Sequence, residues 1–213
     1  MSPFDLVFTW DVALLRLVNT SGSLWLDPWM ARLSGWQAVR WPVVALLALL
    51  FLKGRLREKV LVLFGAAAIL LGDAGLCQPL KRLVARPRPY LAFSGLRVVG
   101  LGGVVISPIP GVHNASMPSS HAFNLAVLAV LLSVFYGGWA HLGWLFAALV
   151  GYSRLYTGAH YPADVLAGLA LGLAWGLAAI ALGRRLWSAL GPRLRPAWHE
   201  SHPELLPPPP PAP

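Results

Sequence analysis

Three short clusters hold the side chains best suited to chemistry: residues 81–89 (KRLVARPRP), 118–121 (PSSH) and 153–164 (SRLYTGAHYPAD). Between them they supply a lysine, two candidate arginines, a serine, two histidines, a further arginine and an aspartate, each beside an apolar run. Cationic side chains of this kind hold phosphate oxygens, and histidine serves as nucleophile or proton donor near neutral pH. The set amounts to a phosphate cradle with a nucleophile and an acid.

Each cluster has a plainer reading, and the three are not equal. Lys81 ends an apolar segment and Arg88 follows after Pro87, with Pro89 behind it. The prolines end the helix and turn the chain, so Lys81 and Arg88 can converge on one point. A basic helix end that meets lipid headgroups would look the same. In the second cluster Ser119 and Ser120 precede the run AFNLAVLAVLLSVF. Serine there is an ordinary helix cap, and exposed N–H groups at a helix start also bind anions. Capping does not explain His121. The third cluster is the sharpest. His160 and Asp164 stand four residues apart, one turn if helical, so the carboxylate can hold one imidazole nitrogen and leave the other aimed outward. Arginine, histidine and aspartate together at a membrane boundary are costly without a use.

The elements that must position these residues read as membrane helices. Hydrophobic residues make up 57% of the 213 and charged residues only 12%, where a soluble domain carries about 25% charged. Ten tryptophans suit interfacial belts. Spans are expected near 38–53, 60–80, 121–137, 140–157 and 162–183, with a sixth, half-amphipathic candidate at 4–19. The expected fold is all-α: a polytopic transmembrane bundle of about six helices. Residues 20–37 read as an interfacial connection, and 85–120, rich in Gly and Pro, as the longest loop. One domain is expected over 1–195, followed by a proline-rich disordered tail at 196–213. Asp5, Asp11 and Arg16 interrupt the first twenty residues, which do not read as a cleavable signal peptide.

Charge distribution separates the function classes. A net charge of +9 invites a nucleic-acid reading, but the basic residues sit at the ends of apolar runs and line no polar face, so no nucleic-acid partner is expected. Lys53, Arg55, Arg57 and Lys59 between the second and third helices, and Arg184, Arg185, Arg193 and Arg195 at the end, mark the cytoplasmic side. The three clusters then face the opposite, extracytoplasmic side. Cys77 is the only cysteine, which rules out an intrachain disulfide and suggests no thiolate metal site. Asp73 lies inside the third helix, as a buried hydrogen-bonder or a residue reaching the site. His113, His141, His199 and His202 read as loop or tail residues.

Together the clusters resemble the type 2 phosphatidic acid phosphatase family, which shares its site with vanadium haloperoxidases. The family pattern is Lys-x6-Arg-Pro, Pro-Ser-Gly-His and Ser-Arg-x5-His-x3-Asp. This chain has Lys81…Arg88-Pro89, Pro118-Ser119-Ser120-His121 and Ser153-Arg154…His160…Asp164. The strong match covers roughly 58–185, and the one departure is Ser120 in place of glycine. The resemblance implies that Lys81, Arg88, Ser119 and Arg154 hold the phosphoryl oxygens, helped by the Ser120 and His121 backbone N–H groups. It implies that His160 attacks phosphorus, that Asp164 orients His160, and that His121 protonates the leaving oxygen. It implies no metal and no cofactor.

The expected partner is a lipid phosphate in the bilayer, best matched by undecaprenyl diphosphate. Phosphatidylglycerophosphate, phosphatidic acid and lipid A 1-phosphate are close alternatives, as is phosphotransfer to another lipid. The expected location is a bacterial inner membrane, with a multi-pass chain and the site facing the periplasm. The rival from another class is a non-catalytic scaffold or transporter. A transporter more often shows repeats and broken helices, and a scaffold has no reason to keep His121, His160 and Asp164 in register.

Overall fold

Apolar stretches with few internal breakers become helices, and the breakers fall between them. In the computed structural model, residues 9–108 and 115–207 are described. The helices are α1 (Thr9–Thr20), α2 (Asp27–Ser34), α3 (Trp36–Lys53), α4 (Leu56–Gly72), α5 (Gln78–Val84), α6 (Pro89–Ala92), α7 (Ser120–Tyr136), α8 (Leu142–Tyr156), α9 (Pro162–Leu194) and α10 (Pro196–Ser201). A π turn, Asp73–Cys77, joins α4 to α5 without a break. Leu56–Val84 and Pro162–Leu194 are long and apolar enough to cross a bilayer, and Ser120–Tyr136 is a shorter apolar helix. Leucines along them face outward: Leu63 is 61% exposed and Leu70 69%. Such a surface suits lipid and would be an aggregation liability in water.

The core lies where α4, α7 and α9 meet, around Phe123, Val127, Leu131 and Phe135 of α7. α9 reaches α7 closely because Gly168, Gly172 and Gly176 form its contact stripe. A Cβ on Gly172 would stand 2.4 Å from the Phe123 carbonyl oxygen, and one on Gly168 2.5 Å from that of Ser119. Small residues at this spacing let membrane helices touch backbone to backbone. This stripe sets the distance between the second and third clusters.

α4 runs toward Lys81 and α9 runs away from Asp164, so the three clusters share one end of the bundle. The other end gathers Arg57, Tyr136 and the C-terminal segment. There the Arg57 guanidinium lies 4.5 Å from the Tyr136 ring centroid, and Trp187 Nε1 donates to the His202 carbonyl at 3.0 Å.

The structure differs from, or adds to, the expected outline in four places. The fold is mostly helical rather than all-α: β1 (Arg97–Gly100) and β2 (Gly103–Ile106) pair antiparallel inside the long loop. Paired valines on both strands (RVVG, GVVI) and a Leu-Gly turn favour a hairpin. Of the half-amphipathic candidate at 4–19, the described part lies in the helix α1, which buries Asp11, Leu15 and Asn19 along one face; residues 4–8 lie outside those described. The last long helix continues to Leu194, past the expected apolar span at 162–183, with Pro192 inside its last turn. Beyond α9 the described chain continues through α10 to 207, and Leu206, 5% exposed, packs into the main core. An apolar Leu-Leu pair before the proline run finds that groove.

Candidate active site

Each cluster is aimed by local chain chemistry. After α5, Ala85 takes a left-handed conformation, φ 46°, uncommon for a residue with a side chain. The chain doubles back there, and the Arg86 carbonyl accepts from the Ser116 N–H at 2.8 Å. That turn brings Arg86 and Arg88 under the other clusters. Ser119 stands at the N-cap position of α7 without a side-chain cap bond, and its own N–H donates to the Asp164 carbonyl at 2.9 Å, so the second and third clusters are joined backbone to backbone. Between α8 and α9, Gly158 at φ 71° makes the turn, and the Ala159 and His160 N–H groups both donate to the Arg154 carbonyl at 3.0 and 3.2 Å.

His160 is held from two sides. Its Nδ1 lies 3.3 Å from Asp164 Oδ2, and its Nε2 lies 3.4 Å from Arg88 Nη1. A guanidinium only donates, so Nε2 faces it with a lone pair and Nδ1 carries the proton toward Asp164. Burial pushes the His160 pKa down to about 3, with Arg154 and Arg88 adding repulsion against the pull of Asp164. The resting imidazole is therefore neutral, as a nucleophile must be.

Around it stand donors that the protein leaves unused. Ser119 Oγ, Arg88 Nε and Arg154 Nε are buried and find no hydrogen-bond partner among the described residues. Orphaned buried donors are costly, and three of them point to an anion. Lys81 is half-buried and close enough to act electrostatically on His121, as are Arg88 and Arg154. Burial lowers the Arg88 pKa. Arg154 also donates through Nη1 to the Ser34 carbonyl and to Ser34 Oγ. The structure thus brings together Lys81, Arg88, Ser119, His121, Arg154, His160 and Asp164.

Ser120 and Asp73 have local work. Ser120 Oγ lies 3.4 Å from Cys77 Sγ and 3.4 Å from Gln78 Nε2, so its side chain turns toward α5. Gln78 Nε2 also donates to Asp73 Oδ2 at 2.9 Å, while Asp73 Oδ1 is buried without a partner among the described residues. Of the histidines set aside, His113 lies outside the described residues; His199 and His202 pack on Trp187 and Trp198.

Sequence reasoning missed three contributors: Asp11, Arg86 and Ser34. Arg86 Nη1 donates to Asp164 Oδ1 at 2.8 Å and Nη2 to Asp11 Oδ2 at 2.6 Å. A carboxylate inside an apolar helix was the available signal for Asp11. Nothing in sequence flagged Ser34.

Fold and site together define a membrane phosphatase. Residues 59–188 match the PAP2 superfamily, and the chain belongs to that family. It is 34% identical to the undecaprenyl-diphosphatase of Sulfolobus acidocaldarius over 165 residues, which cover 76% of this chain and 73% of that protein. It is 29% identical to undecaprenyl-diphosphatase BcrC of Bacillus subtilis over 156 residues, 71% of this chain and 72% of that protein. Among solved structures, Aquifex aeolicus LpxE superposes with TM-score 0.63 at 26% identity, covering 82% of this chain and 96% of LpxE. A Bacillus subtilis PAP2-type phosphatidylglycerolphosphate phosphatase superposes with TM-score 0.59 at 23% identity, covering 84% and 87%, and shares the fold.

Proposed function

We propose that this lipid phosphatase removes the terminal phosphate of undecaprenyl diphosphate, leaving undecaprenyl phosphate. The observation that carries the reading is the trio of buried donors without a partner among the described residues, Ser119 Oγ, Arg88 Nε and Arg154 Nε, together with the His160 Nε2 lone pair that Arg88 Nη1 faces at 3.4 Å. The printed activities of the two relatives described above favour the polyprenyl substrate.

In this reading Lys81, Arg88, Ser119 and Arg154 hold the phosphoryl oxygens, with the Ser120 and His121 N–H groups at the start of α7 alongside. His160 Nε2 forms a bond to phosphorus as the bond to the leaving oxygen breaks. His121 gives that oxygen a proton. His121 then takes a proton from water, whose oxygen attacks phosphorus; the P–N bond breaks and its electron pair returns to His160. Asp164 holds Nδ1–H throughout. Positioning and charge stabilisation carry most of such a reaction, and here cationic side chains supply both without a metal or cofactor. Six helices cross the inner membrane of a bacterium and the site opens outward. The support is that the basic residues near Arg57 and Arg184 share the end opposite the clusters.

The test is phosphate release in detergent with EDTA present, from undecaprenyl diphosphate, phosphatidylglycerophosphate, phosphatidic acid and lipid A, with His160→Ala as control. Release from undecaprenyl diphosphate above the others, lost in the variant, is expected. Preference for another lipid overturns the substrate; release that survives His160→Ala overturns the site.

A further inference from the structure

The phosphate cradle explains the arginines that face an anion, but not Arg86, which faces two carboxylates. Arg86 Nη1 donates to Asp164 Oδ1 at 2.8 Å and its Nη2 to Asp11 Oδ2 at 2.6 Å. Both aspartate side chains are fully buried and Arg86 is 13% exposed. Its guanidinium carbon also lies 3.6 Å from the Tyr161 ring centroid. Asp11 Oδ1 accepts from the Ala163 N–H at 2.7 Å. The contacts close a ring: Asp11 to Arg86, Arg86 to Asp164, and back along one peptide step to Ala163 and Asp11. Three separate segments meet in it, and α1 lies outside the residues 59–188 that match the family.

We propose that Arg86 and Asp11 are positioning residues for the nucleophile, acting through Asp164. This rests on the phosphatase reading of His160. The geometry carries it. Asp164 offers Oδ2 to His160 Nδ1 at 3.3 Å and to the Tyr161 N–H at 2.9 Å. With Arg86 on Oδ1, the carboxylate cannot swivel about its last torsion without breaking an ion pair. Asp11 fixes the plane of Arg86, and Ala163 fixes Asp11.

Charge points the same way. With His160 neutral, two aspartates and one arginine leave one negative charge in the network. When Nε2 bonds to phosphorus while Nδ1 keeps its proton, the ring becomes cationic and the four side chains sum to zero. The network is therefore arranged for the state after attack rather than before it. A buried pair of this kind is weak evidence of stability in itself, which leaves orientation as its use.

The test uses the full chain in detergent micelles with undecaprenyl diphosphate as substrate, and histidine nitrogens labelled with 15N. Arg86→Lys keeps the charge and loses the fork; Arg86→Met loses both; Asp11→Asn keeps the shape. We expect kcat to fall about 10²-fold for Arg86→Met, as for a mispositioned group, with less loss for Arg86→Lys and Asp11→Asn. KM should hold, and the His160 nitrogen shifts, assigned with His160→Gln, should move in all three. Unchanged kcat and unchanged shifts in Arg86→Met overturn the proposal. So does a loss that follows melting temperature alone with no recovery in Arg86→Lys. Should the wild type release no phosphate, the phosphatase reading falls, and the nitrogen shifts alone still decide whether Arg86 and Asp11 hold the ring.

Discussion

The two ends of the bundle both carry arginines, and they treat them in opposite ways. At the cluster end Arg86, Arg88 and Arg154 are buried or nearly so, and each is fixed by named partners. At the other end Arg57 rests on the exposed Tyr136 ring, beside Glu58, whose Oε1 accepts from the Tyr136 hydroxyl at 3.0 Å. The difference lies in desolvation. A buried guanidinium must be matched by carboxylates, carbonyls or an incoming anion, whereas a solvated one needs nothing. Residue type alone therefore does not mark a binding arginine, and neither does a leftover buried donor, which Arg97 and Arg184 also have; Arg88 and Arg154 stand out because theirs lie close to His160.

The comparison breaks first at His160. His160→Ala should lower phosphate release by about 10⁴-fold or more while leaving the fold intact; residual turnover near wild type would remove the cluster end from the chemistry. Ser119→Ala comes next. Its Oγ has no partner among the described residues, so the variant should lose about 10²-fold in kcat with unchanged melting, as for one lost oxyanion donor. If melting falls and kcat holds, the hydroxyl is structural.

Packing between the ends is tested by Gly172→Leu. The Phe123 carbonyl stands 2.4 Å from the added Cβ position, so α7 and α9 must separate. Overpacking of this kind costs about 1–3 kcal/mol, readable as earlier unfolding in denaturant, with activity falling because Ser119 and Asp164 part.

A pH experiment sharpens the picture further. The His160 pKa is about 3 in the folded chain, below the ~6.5 of a free imidazole. The unfolded state therefore binds a proton that the folded state refuses. Stability from this group is whole above pH 6.5 and declines as pH falls from there toward 3. His160→Gln should flatten that part of the melting curve; an unchanged slope would assign it elsewhere. The smallest effect belongs to the opposite end. Arg57→Gln should leave kcat within about twofold, as for a solvated charge, and a large loss would undo the contrast drawn between the ends.

The chemistry-bearing residues were legible because each sits at the end of an apolar run, where a polar residue has few bland explanations. Lys81, Arg88, Ser119, His121, Arg154, His160 and Asp164 were all marked that way, and helices formed along each expected apolar segment from 38 onward. Other features were not legible. The hairpin hid in a Gly-rich stretch, because alternation over four residues is too short to stand out. The Gly168, Gly172 and Gly176 stripe passed as ordinary membrane composition.

The sequence by itself determined which candidate groups stand at helix ends and in what order, since those follow from residue type and local spacing. Only the tertiary structure separated Arg88, whose Nε is buried without a partner among the described residues, from Arg86, whose guanidinium takes two carboxylates. Arg86 and Arg88 are two residues apart in one cluster, and Asp11 lies 75 positions from Arg86. No local pattern encodes that pairing. It exists because α1 packs where α5 ends and α9 begins, and a buried guanidinium takes the carboxylates that packing puts within reach.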